Sequence, residues 1–128
     1  MKRYKNLTDK HKTKIGSKGL FNSINDFVDY LNENCSDKGL KYVKNDVYCM
    51  QVGGKYIKVI TCGEENVTSG GGGSVYCFID TNNGDIYKSA GWKAPYTKGN
   101  NAVRSNVMED TYKTLDVRSL RYGGWLYL

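Results

Sequence analysis

The chain has 128 residues, of which 39% are apolar and 25% are charged, and its mean hydropathy is −0.61. This composition is typical of one globular domain with a modest core. No apolar run approaches the roughly 20 residues that a membrane-spanning helix needs, and no apolar stretch follows the basic N-terminus. We therefore expect neither a membrane span nor a secretion signal.

The net charge of +6 is distributed unevenly along the chain. Residues 1–20 contain seven of the 19 basic residues and one of the 13 acidic residues, which leaves twelve of each in the remainder. We interpret residues 1–19 as a basic arm, mainly a solvated and partly disordered tail, and residues 20–128 as a single α+β domain. Nucleic-acid binding based on charge would rest on this arm and not on the body of the protein.

The cysteines do not have the spacing of metal ligands. Cys35, Cys49, Cys62 and Cys77 form no CxxC pair, and His11 is the only histidine, so no zinc site is indicated. Three of the four cysteines lie in strand-like runs, where free cysteine behaves as a small buried apolar residue. We expect reduced thiols in a cytosol, and no cofactor.

The clearest predicted element is a helix over Leu20–Cys35. Ser23 is the predicted N-cap of this helix. Its apolar residues recur with the helical period and form one face: Ile24, Phe27, Val28 and Leu31.

A run of predicted strands follows the helix. Leu40–Lys44 is short and strand-like, and Val47–Val52 and Lys55–Cys62 flank Gly53-Gly54. Two glycines between apolar runs predict a two-residue hairpin turn, because glycine at both central positions can take positive φ. Because both faces of this hairpin are apolar, we expect each face to be covered, by a helix or by another subunit.

The second half of the chain is predicted to continue the sheet. Glu64–Gly73 is glycine-rich and predicted to be a flexible connection. Val75–Asp80 and Ile86–Lys88 form a second hairpin around Gly84, because Asn-Gly within a polar cluster is a turn signal. After Asn101 a weakly helical pattern runs through Val103, and a break near Asp116 precedes a short basic element.

The apolar C-terminal residues 122–128 are expected to be tucked in, as a last strand or at a subunit interface. The order of elements favours an α+β fold with an antiparallel sheet of about four to five strands, an N-terminal helix and a C-terminal helical segment.

Motifs of catalysis are absent from the sequence. There is no G-x-S-x-G, no H-E-x-x-H and no Cys/His pairing, and the only histidine lies in the basic arm. Asp80 and Asp85 flank a turn, where aspartate is ordinary turn chemistry. We therefore expect a protein that is not an enzyme.

The residues after the second hairpin favour binding. Lys88, Lys93, Lys98 and Arg104 lie close together in sequence, with aromatic residues between them. Basic side chains bind phosphate oxygens, and an aromatic face can stack on a base. The alternative is that Trp92 fills the core and the lysines are ordinary surface residues.

The same stretch resembles a motif of a known family. Residues 74–80 read Ser-Val-Tyr-Cys-Phe-Ile-Asp, and residues 84–95 read Gly-Asp-Ile-Tyr-Lys-Ser-Ala-Gly-Trp-Lys-Ala-Pro. This is similar to the first described family of phage Thoeris anti-defence proteins, the "sponge" proteins. Ser89 and Gly91 replace a proline and a serine of that motif, and the resemblance covers about a quarter of the chain.

The resemblance implies a function in the host bacterial cytoplasm. Members of that family bind glycocyclic ADP-ribose, the signal made by bacterial TIR-domain enzymes, without cleaving it. Their pocket lies at a homodimer interface, and some members form hexamers that also hold cyclic oligonucleotides. It implies that Phe78 and Trp92 stack on the ligand and that Asn106 makes polar contacts. Five basic residues are expected to supply charge: Lys88, Lys93, Arg104, Arg118 and Arg121.

Two other hypotheses remain open at the level of sequence. One is a small phage protein that binds nucleic acid through the basic arm and the lysine-rich loop, although the neutral body makes nucleic acid the less favoured partner. The other is a virion or scaffold protein without a small ligand.

Overall fold

A computed structural model describes residues 2–35 and 46–127. The predicted strand Leu40–Lys44 lies outside the described residues. The helices are α1 (Lys18–Cys35), α2 (Glu64–Ser69) and α3 (Val117–Tyr122), with 3₁₀ helices at Asp9–Lys14, Asp110–Thr114 and Gly124–Tyr127. The strands are β1 (Asp46–Val52), β2 (Tyr56–Gly63), β3 (Ser74–Asp80), β4 (Asp85–Tyr87) and β5 (Val103–Asn106).

The five strands form one sheet in the order of the chain, β1-β2-β3-β4-β5, and every neighbouring pair is antiparallel. With α1 before the sheet and helical segments after it, the molecule is an α+β protein. This confirms the predicted fold class and the upper end of the predicted strand number.

Helix α1 covers one face of the sheet, as its pattern predicts. Ile24, Phe27 and Leu31 are fully buried on the face that packs against the sheet. The predicted cap is wrong: the helix begins at Lys18, and the Ser17 hydroxyl accepts the Leu20 N–H at 3.1 Å. The first turn of the helix was not predicted, because Lys18 and Gly19 are not part of its apolar pattern.

The first hairpin is confirmed, but the conformation of its turn is not the predicted one. Val52 pairs with Ile57, and the Gly53 N–H donates to the Tyr56 carbonyl at 3.0 Å. Neither Gly53 nor Gly54 takes positive φ. The two central residues of the turn are Gly54 and Lys55 instead of the two glycines, and neither adopts the left-handed conformation that two-residue hairpin turns favour.

Both faces of the first hairpin are covered, as predicted. On the face opposite α1, Cys49, Ile60 and Cys62 form a small buried cluster against Val67 of α2. The predicted flexible connection therefore contains a helix whose one apolar residue closes the second face.

An irregularity in β3 turns an additional side chain toward the main core. Ile60 pairs with Val75, and Val59 pairs with Cys77, so Tyr76 is an extra residue between them. Because a bulge breaks the strict alternation of side chains, the consecutive Tyr76 and Cys77 both lie in the main core.

The basic arm is not a solvated tail, and that interpretation is wrong. Tyr4 pairs with Met50 of β1 through two backbone hydrogen bonds of 2.9 and 2.7 Å. Leu7 and Ile15 are buried in the main core. These apolar residues are too widely spaced to show a period, yet they are enough to hold the segment on the domain.

Two predictions for the C-terminal part are also wrong. Val103–Asn106 is not helical but forms β5 along β4, because the hydrogen bonds of the sheet edge outweigh a weak helical pattern. Residues 122–127, the described part of the apolar end, form no strand. The 3₁₀ helix Gly124–Tyr127 buries Trp125 and Leu126, which confirms that the apolar end is tucked in.

None of the helices in the described ranges is long and apolar enough to cross a membrane.

Candidate functional site

Trp92 does not fill the core. It lies in the loop 88–96, and 43% of its surface is exposed. Backbone hydrogen bonds close this loop, since the Tyr96 N–H donates to the Lys88 carbonyl at 2.8 Å and the Ala90 N–H donates to the Ala94 carbonyl at 2.9 Å. The loop therefore presents a large aromatic ring at the surface.

The exposed ring forms one wall of a groove of about 440 Å³ on the sheet face opposite α1. Lys58 of β2 lies opposite Phe78 of β3, and Phe78 lies opposite Tyr87 of β4, so these side chains share one face. Ile57 and Val59 alternate with Lys58 and belong to the main core, which assigns the groove to the other face. We call this hollow the aromatic groove, and the residues that define it are Lys55, Tyr56, Lys58, Phe78, Trp92 and Lys93.

Phe78 forms the floor of the aromatic groove rather than an open stacking surface. Only 3% of Phe78 is exposed, and its ring meets that of Tyr56 edge to face, with centroids 6.3 Å apart. Tyr56 also contacts Tyr87 edge to face at 6.0 Å. Trp92 is therefore the ring with the most open surface for a flat ligand.

Lys58 lies next to the Trp92 ring, with its Nζ 4.3 Å from the ring centroid. An ammonium at this distance is attracted by the negative face of the ring. Burial lowers the pKa of Lys58, and the charges of Arg3 and Lys93 lower it further. The charge of Lys58 is thus repelled by those of Arg3 and Lys93.

No carboxylate pairs with Arg3, Lys58 or Lys93 among the described residues. Arg3 is buried, donates to the carbonyls of Gly71 and Gly72 at 3.0 and 2.7 Å, and has no partner for its Nε. The aromatic groove therefore has a positive potential without a counter-charge, and an anion there would relieve the repulsion.

Lys88 and Arg104 are brought together at a different hollow, of about 290 Å³, which they line with Tyr96 and Lys98. We call it the Lys88 hollow. The Nζ of Lys88 lies 4.7 Å from the Tyr96 ring centroid. Arg104 donates from Nε to the Leu126 carbonyl at 2.8 Å, so part of its guanidinium anchors the C-terminal segment. Of the predicted cations, Lys93 thus lines the aromatic groove, whereas Lys88 and Arg104 line a separate hollow.

Asn106 is engaged within the second hairpin. Its side-chain amide donates to the Asn83 carbonyl at 2.8 Å and to Asp85 Oδ1 at 2.9 Å, and its Oδ1 accepts the Met108 N–H at 2.8 Å. Asp80 in turn accepts the Asn82 N–H at 2.7 Å. These hydrogen bonds stabilise the turn and engage both polar atoms of the Asn106 side chain, which was predicted to contact the ligand.

Arg118 and Arg121 lie on α3, which packs against α1 on the core side of the sheet. The Tyr48 hydroxyl, which faces this core, donates to the Arg121 carbonyl at 3.1 Å. Within one chain, α3 is therefore separated by the sheet from the aromatic groove. These arginines would reach a ligand in the groove only from a second chain.

The four cysteines are buried thiols. Cys49 and Cys62 lie in the small second-face cluster, with their sulfur atoms 3.5 Å apart. Burial, with the hydrogen bond to Cys62, raises the pKa of Cys49 to about 12. In the described part of the chain, no three His, Cys, Asp or Glu side chains are grouped as metal ligands would be.

Sequence reasoning missed Tyr56 and Lys58 as residues of the site, and it missed the buried charge of Arg3 that acts on Lys58. The alternation of β2 places Tyr56 and Lys58 on one face, but only the pairing with β3 shows that Phe78 lies beside them. Arg3 was assigned to a solvated tail, and no local signal places it near Lys58.

Residues 3–128 match the model of a known protein family. The chain belongs to DUF7717, a family of unknown function. No curated protein and no solved structure shows significant similarity to this DUF7717 chain.

Proposed function

We propose that the protein binds and sequesters a nucleotide with a flat base and phosphate groups, without cleaving it, in the aromatic groove. The observation that carries this proposal is the exposed Trp92 ring beside the unpaired charges of Lys58 and Lys93. An exposed ring that holds one ammonium 4.3 Å from its centroid, in a groove that a second lysine also lines, offers a stacking surface and positive charge at the same place.

The expected contributions of base and phosphate are of similar size. Stacking of a base on an aromatic side chain is worth roughly 1–3 kcal/mol. Hydrogen bonds between a phosphate and lysine are charge-assisted and stronger than neutral ones. Burial is the main cause of the lowered pKa of Lys58, and a phosphate at the groove would relieve the repulsion by Arg3 and Lys93 that lowers it further.

The sequence resemblance supports a particular ligand. The loop that carries Trp92 and Lys93 is the part of the chain that resembles the phage anti-defence proteins. On this basis the ligand is glycocyclic ADP-ribose, and the protein silences a TIR-derived signal in the host bacterial cytoplasm. A homodimer, extended in some assemblies to a hexamer, would bring Arg118 and Arg121 of a second copy to the open side of the groove.

Capture of a ligand from a mixture tests this proposal. Purified protein is incubated with the nucleotide pool made by a TIR-domain enzyme, washed, and heated, and the released material is identified by mass spectrometry. We expect an intact cyclic nucleotide in the released fraction. Release of a modified nucleotide would indicate an enzyme instead.

Two substitutions in the same loop localise the captured ligand. Trp92→Ala removes the wall of the aromatic groove, whereas Tyr96→Ala removes an aromatic residue of similar exposure that lines the Lys88 hollow. We expect capture to fall strongly with Trp92→Ala and to be retained with Tyr96→Ala. The reverse result would move the site to the Lys88 hollow and contradict the proposal.

Nucleic-acid binding is distinguished by its dependence on salt. Affinity for an oligonucleotide that falls steeply between low and high salt, together with no capture of a small nucleotide, would favour that alternative. Deletion of residues 1–19 does not serve as a test, because Leu7 and Ile15 belong to the core.

A further inference from the structure

The N-terminal segment forms a further hollow, of about 290 Å³, apart from the two already described. Pairing of Tyr4 with Met50 holds residues 2–7 along β1, and the 3₁₀ helix Asp9–Lys14 folds back beside them. We call this hollow the N-terminal pocket. It is lined by Lys2, Tyr4, Lys10, His11, Lys14 and Val52.

His11 is fixed in the wall of the N-terminal pocket. It is 5% exposed, and its ring contacts that of Tyr4 edge to face with centroids 4.6 Å apart. Its Nδ1 accepts the Thr8 N–H at 3.0 Å. Since Nδ1 is an acceptor, the neutral ring carries its proton on Nε2. No group in the described residues accepts a hydrogen bond from Nε2, so this atom is an available donor.

The lysines of the N-terminal pocket lack acidic partners, unlike their neighbours in sequence. Lys5 pairs with Glu64 at 2.6 Å and Lys12 pairs with Asp9 at 3.0 Å. Among the described residues, no carboxylate pairs with the three lysines of the pocket, Lys2, Lys10 and Lys14.

The field inside the N-terminal pocket is positive. Burial lowers the pKa of His11, and the charges of Lys10 and Lys14 lower it further. The Nζ of Lys10 lies 4.6 Å from the Tyr4 ring centroid, which holds this charge over the pocket wall. Tyr4 and Thr8, both uncharged, contact His11, and the pocket is otherwise lined by Lys2 and Val52.

We propose that the N-terminal pocket binds an oligophosphate group, with the His11 Nε2–H and the Lys10 and Lys14 ammonium groups as donors. Several cationic donors line the one hollow, so two or three linked phosphates can contact more of them than a single phosphate can. Val52 belongs to the main core, on the α1 side of the sheet, and the aromatic groove lies on the other face. The proposal is therefore independent of the function assigned to Trp92.

The single histidine makes a direct test possible. The imidazole C2–H resonance of the whole protein belongs to His11 and is followed by proton NMR as pyrophosphate or tripolyphosphate is added at constant ionic strength. We expect a saturable shift of this resonance. The pKa of His11 should rise in the complex, because a bound anion offsets the charges of Lys10 and Lys14 and favours the imidazolium form.

Substitutions of exposed lysines separate specific binding from general charge. Lys10→Gln and Lys14→Gln should each weaken oligophosphate binding by about tenfold, since each removes a charge-assisted contact. Lys12→Gln is the matched control, because Lys12 lies in the same 3₁₀ helix but contacts Asp9 and Phe21. Its effect should be less than about twofold.

A second arm of the experiment distinguishes the sources of phosphate. A short single-stranded oligonucleotide is titrated under the same conditions, and tighter binding of either anion identifies the source, a free oligophosphate or a nucleic-acid backbone. No saturable shift with any of these anions would overturn the proposal. Equal weakening by Lys10→Gln, Lys14→Gln and Lys12→Gln would also overturn it, because net charge alone would then explain the binding.

Discussion

The hydroxyl of Tyr76 links the sheet to the C-terminal segment, and Tyr76→Phe tests this link. The hydroxyl donates to the Leu120 carbonyl and accepts the Trp125 Nε1–H at 2.8 Å, and Tyr76 is 6% exposed. Because the substitution deletes one oxygen atom and keeps the ring, it leaves these two buried groups without this partner. Leu120 O also accepts the Gly123 N–H at 3.4 Å, so most of the loss falls on Trp125.

An unsatisfied buried donor costs about 1–3 kcal/mol, and we expect Tyr76→Phe to lower the free energy of unfolding by about 2–3 kcal/mol. At about 2.1 cal/mol/K per residue, the unfolding entropy of 128 residues is roughly 0.27 kcal/mol/K, so the midpoint should fall by about 7–11 °C. Urea and thermal denaturation followed by circular dichroism measure both quantities. Tyr127→Phe, at a residue 59% exposed, is the control. A loss below ~0.5 kcal/mol for Tyr76→Phe would refute the reasoning.

Three further predictions concern a turn, a charge and the thiols. Gly84→Ala should lower the free energy of unfolding by at least about 2 kcal/mol in urea, because Gly84 has φ +81 and a Cβ there would lie 2.7 Å from Leu20 Cδ1; a loss below ~1 kcal/mol would contradict this. Lys58→Met should raise the melting temperature at low salt while weakening nucleotide capture. The folded state lowers the pKa of Lys58, so its charge destabilises the fold below that pKa and the penalty disappears as the pH rises. The gain in melting temperature should therefore shrink at alkaline pH. A gain that does not depend on pH would contradict a role for the charge of Lys58. The four thiols should react with Ellman's reagent only after denaturation, and rapid reaction of the native protein would contradict their burial.

Local sequence patterns were sufficient to predict α1 and both hairpins. The helical period of Ile24, Phe27 and Leu31 predicted α1, and alternation around glycine-containing turns predicted both hairpins. Val103 shows the limit of this reasoning, because a strand at the sheet edge depends on the neighbour with which it pairs. The basic arm, residues 1–19, shows a second limit. Leu7 and Ile15 become core residues only through contacts with elements distant in sequence.

The candidate site was predicted in part. Trp92 and Lys93 were identified from one loop, whose residues are adjacent in sequence and remain together in the structure. Lys58 was missed because its position beside Trp92 depends on sheet register, which a strand pattern does not specify. Arg118 was placed in the site by resemblance, and within one chain the sheet separates it from the groove.

The most direct test of the central claim is a titration of the protein with glycocyclic ADP-ribose followed by tryptophan fluorescence. Trp92 is 43% exposed and Trp125 is only 6% exposed. A base stacked on Trp92 should therefore quench the emission of Trp92 and leave that of the buried Trp125. We predict saturable quenching in the wild type. Trp92→Phe, which keeps an aromatic ring, should retain binding by calorimetry but show no quenching. Absence of binding in the wild type, or equal quenching in Trp92→Phe, would contradict the account.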